Sequence, residues 1–318
     1  MRNSACLAAA LCVFAFAGAA RANPMDLTLS RLFDERACTS AALSQPNASK
    51  LCADQGAFRE LAREFGLAMA PTLLAPAETL GYAGFYLGLE GTLTTINSSS
   101  SEPTNVWFRG TEDQNPDSVL FVPSIHVRKG LPFSFELGTS VSYVAATEQV
   151  LIGADIRWAI LEGYRTGWKA YFPDISVRGA VNRLMGDDEM DLTVWSIDVA
   201  LSHPFSISGM MTITPYLGYQ FVQTIADTAL VLNGIADPSG SGGTLVDCSG
   251  SLAEYQTNCV GGVYGPPGLR YLDFGREYID RHRFFAGVRL MYEHLATILQ
   301  ASFTDGQESF GISIGMDY

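Results

Sequence analysis

The chain ends on SFGISIGMDY (residues 309–318), where apolar residues alternate without a break with small or polar ones. Successive side chains of a strand point to opposite sides, so Phe310, Ile312, Ile314, Met316 and Tyr318 share one face. Ser309, Gly311, Ser313, Gly315 and Asp317 share the other. An apolar face of this kind turns either toward a protein core or toward lipid, and the rest of the sequence decides between them.

The same contrast recurs from Gly81 onward. In GYAGFYLGLEGTLTTIN, Ala83, Phe85, Leu87, Leu89 and Leu93 oppose Tyr82, Gly84, Gly88, Glu90, Thr92 and Thr94. SVLFVPSIHVRKG, PFSFELGTSVSYV and VLIGADIRWAIL repeat the pattern, the last setting Ile152, Ile156, Trp158 and Ile160 against Gly153, Asp155 and Arg157. DISVRGAVNRL, LTVWSIDVALS and MTITPYLGYQFVQTI follow, and HRFFAGVRLMYEH, LATILQASF and the terminal stretch complete a set of ten strands. Residues 199–226 lack Asp, Glu, Lys and Arg, but Pro204, Pro215 and the intervening SHPFSISG divide them into two strands rather than one spanning helix.

Strands of about 9 to 11 residues are long enough to cross a bilayer when tilted, and a backbone in hydrocarbon must satisfy its polar groups internally, as a closed barrel does. The connections alternate as such a barrel requires, with the two longest gaps, 97–117 and 226–280, at one end and short joins such as RKGLP and SHPFSISG at the other. Only three lysines occur, Lys50, Lys129 and Lys169, where a water-facing surface normally mixes many with its glutamates. A secreted soluble β-sandwich or lipocalin-like barrel would carry Lys and Glu on its polar face. Here that face is Gly, Ser and Thr with sparse charges of both signs, which suits a narrow lumen.

Residues 1–22 read as a secretory signal peptide: Arg2, an apolar run from Ala5 to Ala17, then the small-residue pattern ARA at residues 20–22. Residues 23–80 form a separate N-terminal segment with helical spacing in DLTLSRLFDERACTSAAL and DQGAFRELAREFGLAM. Phe58, Leu61, Phe65 and Met69 line one side of a short helix, and Pro71 and Pro76 end the pattern. This segment is expected in the periplasm or as a plug in the lumen. With signal cleavage four cysteines remain, and proximity favours disulfides Cys38–Cys52 and Cys248–Cys259 among three possible connectivities. The chain has 20 basic and 33 acidic side chains and no basic cluster, which argues against nucleic acid as a partner.

A signal peptide, repeated dyad strands and an aromatic last residue preceded by apolar residues at every second position together resemble the outer-membrane β-barrel proteins of Gram-negative bacteria. The resemblance covers residues 81–318 and is architectural. It implies an all-β fold, a closed antiparallel transmembrane barrel of about ten strands with a short N-terminal helical segment, located in the outer membrane among lipid and lipopolysaccharide. It also implies that Phe310, Ile312, Ile314, Met316 and Tyr318 form the assembly signal read by the barrel-assembly machinery, although Tyr318 replaces the more usual phenylalanine.

Function is expected to reside in the lumen or the long connection. The first reading is a passive channel for small or amphipathic solutes, with Glu90, Glu136, Asp155, Arg157, Arg178, Asp198, Arg289 and Glu293 facing the lumen and setting selectivity. The alternative is a non-conducting barrel that displays residues 226–280 for adhesion or ligand contact. A hydrolase ranks third: His126 lies beside Ser124 on the polar face, but no third orienting group stands at a recognisable spacing, so no catalytic residue is assigned. The acidic GDDEMD loop lacks the spaced ligands of a calcium loop, and no metal or cofactor is expected. On the lipid face, Ile314→Arg is expected to be damaging, and Gly315→Ser, on the opposite face, milder.

Overall fold

The computed structural model describes residues 25–34, 36–98, 105–111, 116–145, 147, 149–163, 172–187, 189–207, 210–228, 231–232, 234–236, 245–247, 269 and 271–318. The expected signal peptide and a Cys248–Cys259 bridge lie outside them.

The alternating segments form ten long strands: β1 (Phe85–Thr95), β2 (Val119–Leu131), β3 (Phe135–Tyr143), β4 (Val150–Leu161) and β5 (Asp174–Met185). They continue with β6 (Met190–Ser202), β7 (Met211–Thr228), β8 (Glu277–Tyr292), β9 (Leu295–Thr304) and β10 (Gln307–Asp317). Each pairs antiparallel with its neighbours in sequence, and β1 pairs with β10, so the sheet closes on itself. A short segment, Phe205–Ile207, adds an edge pairing to the start of β7. Closure leaves the backbone of the wall satisfied within the sheet, the condition for crossing hydrocarbon.

Orientation follows from the terminal strand. Ile314 is 52% exposed while its neighbour Ser313 is 0% exposed, so the apolar face of β10 points out of the barrel. Leu89, Ile125, Leu137, Ile156, Ile197, Leu217 and Leu299 continue that outward belt on other strands. The short joins, Pro132–Ser134 and the turn at 293–294, lie at the end that holds Tyr318, here the turn end. At the opposite, loop end β1 is followed by β2 and β7 by β8 across the two longest connections. Strands β7 and β8 reach further than their sequence pattern suggests, which shortens the long connection and places His282 inside β8 rather than at a strand end. Part of that connection is itself paired, Val231–Leu232 with Tyr271–Leu272 and Gly234–Ala236 with Leu245–Asp247.

The N-terminal segment divides into three parts. Residues 25–54 form a cap on the loop end, with a 3-10 turn at Leu29–Arg31, α1 (Ser40–Leu43) and α2 (Ala48–Leu51). The helical spacing of DLTLSRLFDERACTSAAL is mostly not realised as helix, because tertiary pairing takes over: Leu27 bridges Thr111, Phe33 bridges Ala53, and Cys38 is bonded to Cys52. Next comes α3 (Gln55–Ala68), started by the Asp54 carboxylate, which accepts from Ala57 N at 2.9 Å. It buries Phe58, Leu61 and Phe65 as its spacing predicts, and ends before Pro71, whose missing N–H cannot continue a helix. Residues 69–80 then run extended down the lumen to the turn end, where Gly81 (φ 74°) turns the chain into β1.

A further helix, α4 (Val106–Gly110), lies in the β1–β2 connection and packs Trp107 beneath the cap. No described helix is long and apolar enough to cross a membrane. Gly315 is not an open lumen position: a Cβ there would lie 2.5 Å from the Tyr86 ring, so Gly315→Ser loses the mildness that its face alone suggested.

Candidate functional site

The lumen has two chemically different halves. At the loop end its wall is apolar, with Leu120, Val122, Leu151, Leu184, Leu192 and Val222 buried against Phe58, Leu61, Ala62 and Phe65 of α3. Strands there are apolar on both faces, one toward lipid and one inward, and an inward apolar ring is stable only if something fills it. Helix α3 fills it. Glu64 is the polar exception on the buried face of this helix, accepting from Trp107 Nε1 at 2.7 Å and Asn97 N at 2.9 Å, which ties the helix to the β1–β2 connection.

Below α3 the wall is polar and grips the extended segment by its backbone. Pro71 O accepts from Gln220 Nε2 (2.8 Å), Arg283 Nη2 (3.0 Å) and Arg178 Nη2 (3.3 Å), and Asn182 Nδ2 donates to Met69 O at 2.9 Å. Arg157 Nη1 donates to Pro76 O at 2.6 Å. Backbone donors are met in the same way: Ser202 Oγ accepts from Ala77 N (3.0 Å), Glu162 Oε2 from Thr79 N (2.7 Å) and Glu136 Oε2 from Leu80 N (3.0 Å). Glu78 pairs with Arg289. Proline at 71 and 76 removes two N–H groups that would otherwise need partners in this buried path. Leu73, Leu74, Ala75 and Ala77 pack against Ala200, Tyr216, Phe285 and Ile298, a second apolar cluster on one side of the lumen.

Seven of the eight charges expected to face the lumen do so. Arg157 pairs with Glu136 at 2.7 Å, and Arg178 Nε with Asp198 at 2.5 Å. Glu90 and Asp155 flank His126, Glu90 Oε1 at 3.2 Å from Nδ1 and Asp155 Oδ1 at 3.0 Å from Nε2. Arg289 holds Glu78 of the plug. Glu293 is the exception: it is exposed in the β8–β9 turn with φ 52°, because the strand ends one residue before it. The charges therefore meet each other or the plug. A cavity of about 40 Å³ lies among them, beside His126 and Asp155.

Both ring nitrogens of His126 are engaged by carboxylates, which leaves neither to take a proton from Ser124. The acidic loop is likewise occupied: Glu189 Oε2 accepts from Leu29 N of the cap, Asp187 Oδ1 from Glu189 N, and Asp191 pairs with Arg183 at 2.8 Å. Asp188 lies outside the described residues.

Arg128, Asn182, Gln220 and Arg283 are lumen residues that the strand pattern places inward but that sequence reading did not single out. Arg128 sits 4.0 Å over the Tyr86 ring and 3.4 Å from Glu136. A legible signal existed at the loop end, where Leu120-Phe121-Val122 and Leu151-Ile152 interrupt the alternation and demand an apolar filling. The plug's carbonyl oxygens had none, because any residue supplies one.

A closed antiparallel barrel with an apolar outer belt, a polar interior and long connections at one end has the architecture of an outer-membrane β-barrel protein. No protein-family model matches this chain, and no curated protein does. Similar solved structures include Ail, the attachment invasion locus protein of Yersinia pestis, 6% identical, covering 74% of this chain and 99% of that one at a TM-score of 0.28. The N-terminal β-barrel domain of Pseudomonas aeruginosa OprF is 9% identical, covering 75% and 99% at 0.29. The β domain of the Bordetella autotransporter Brka is 10% identical, covering 74% and 100% at 0.38.

Proposed function

We propose that the protein is a sealed outer-membrane barrel that holds its own N-terminal segment in the lumen and presents the cap, residues 25–54, at the cell surface as an interaction module. The observation that carries this reading is the chain from Met69 to Leu80, bonded to the wall from one mouth of the lumen to the other. Long connections mark the outer end of such barrels and short turns the periplasmic end. The cap packs on the β1–β2 and β5–β6 connections, which supports an outside position for it. An open pore, the first expectation from sequence, would require residues 55–80 to leave the lumen.

Planar-bilayer recording of the purified protein tests the seal. The wild type is expected to be silent, and a chain lacking residues 25–80 to conduct if it closes. Reproducible openings of the wild type that change when Arg157 or Arg178 is neutralised would restore the channel reading. Ser44, exposed in the cap, reports its side of the membrane: Ser44→Cys should react with an impermeant maleimide on intact cells. Reaction only after the outer membrane is opened would place the cap in the periplasm.

A further inference from the structure

The wall is not equally tall all round. β8 residues Glu277–Arg283 pair with β7, but β9 ends at Thr304 and its last pairing to β8 is Phe284 with Phe303. Above the short β9–β10 turn the wall therefore has a notch, backed from inside by α3. The resulting cavity of about 480 Å³ has three guanidinium groups in its lining, Arg59 and Arg63 of α3 and Arg281 of β8, together with the carboxylates of Glu60, Asp280 and Asp305.

Arg281 is the unusual group in it. The residue is 8% exposed, and its hydrogen bond is from Nη2 to the backbone oxygen of Asp305; among the described residues no carboxylate pairs with it. A guanidinium carries five N–H donors, and a buried one without a direct ion pair is costly. Beside it, Arg63 pairs with Glu60 yet leaves Nε without a partner among the described residues, and Arg59 reaches Glu277 only at 3.5 Å. The notch thus brings three guanidinium groups to one opening, with donors to spare.

Its height identifies the surroundings. On the outer face of β8 the side chains pass from Phe284 to His282 to Asp280, and on β7 from Phe221 to Gln223. Trp195 Nε1 donates to Gln223 Oε1 at 3.0 Å, and Tyr219 is hydrogen-bonded to His282. Aromatic rings with one polar tip, at the step from apolar to polar, mark the level of the lipid headgroups.

We propose that this notch binds the phosphate of an outer-leaflet lipid headgroup, with Arg281 contacting it from within the wall and Arg63 and Arg59 flanking it from α3. Guanidinium groups match phosphate oxygens through paired N–H donors, and an anion there gives Arg281 the direct ion pair that no described carboxylate makes with it. The site does not depend on whether the lumen conducts.

The test uses the full-length protein in mild detergent, with bound lipid counted by native mass spectrometry. Phosphorylated lipid A is expected to be retained, whereas dephosphorylated lipid A should be held no better than a phosphate-free neutral lipid such as diacylglycerol. Arg281→Gln should weaken retention about tenfold, the scale of one charge-assisted hydrogen bond. Where Arg281→Gln impairs assembly, judged by loss of the folded gel band, Arg63→Gln on the half-exposed face of α3 carries the test with the same expected direction. Equal retention by wild type and Arg63→Gln together with a folded Arg281→Gln overturns the proposal. So does equal binding of dephosphorylated lipid A, and saturation by inorganic phosphate without preference for lipid A overturns the lipid as the source.

Discussion

The ring of Tyr86 lies across two glycines, Gly88 of its own strand and Gly315 of β10, which face each other in the β1–β10 seam. Its hydroxyl lies 2.6 Å from Ser313 Oγ, and Arg128 covers the other side of the ring. Absence of a Cβ at both positions is what admits the ring, so Gly315→Ser is expected to cost about 1–3 kcal/mol by overpacking, read as a lower urea midpoint in detergent. Ile314→Arg, one residue away on the lipid face, should cost about 2–4 kcal/mol and impair assembly into vesicles. The two neighbours thus damage the same strand for opposite reasons, one by steric crowding within and the other by a charge in hydrocarbon. Arg157 is the corresponding polar anchor: Arg157→Ala removes the partner of Pro76 O and the closest cation of buried Glu136. A loss of about 3–5 kcal/mol is expected for such a broken pair, measured by the same unfolding curve.

At the scale of elements, α3 and the extended segment after it behave as different kinds of plug. Helix α3 is held by apolar burial in the upper lumen, and residues 69–80 are held by hydrogen bonds and ion pairs below it. Leu61, fully buried on α3, should lose about 2–5 kcal/mol when cut to alanine. Leu61→Ala is expected to raise protease sensitivity at the loop end while the barrel keeps its folded mobility on a gel. Equal sensitivity of wild type and variant would mean that α3 is not what seals the mouth.

Across the whole molecule, barrel and cap are stabilised by separate means. The barrel closes through its seam, and the folded protein should migrate differently before and after boiling in detergent. Identical mobility would contradict a closed barrel. The cap is small, and its Cys38–Cys52 bridge closes a short loop, worth about 3 kcal/mol in the chain-entropy account. Reduction is expected to open residues 25–54 to protease without abolishing the boiling shift, since no disulfide is described in the wall.

The sequence by itself determined the strand number, the faces of the strands and the side that meets lipid, because a period of two is a local property of neighbouring residues. The terminal SFGISIGMDY carried the two faces, and the scarcity of lysine, the small polar opposite faces and the alternating connection lengths decided between them: Ile314 faces outward and Ser313 inward. Inward placement of Glu136, Arg157, Arg178 and Asp198 was legible for the same reason, and the failure at Glu293 is a strand end displaced by one residue. Burial of Phe58, Leu61 and Phe65 was legible from helical spacing, but their host was not. Only the tertiary structure decided that α3 occupies the mouth of the lumen, that Pro71 and Pro76 offer their carbonyls to wall arginines, and that the lumen charges hold a plug. Those contacts join residues far apart in sequence, such as Pro71 and Arg283, and such partners leave no periodicity to read.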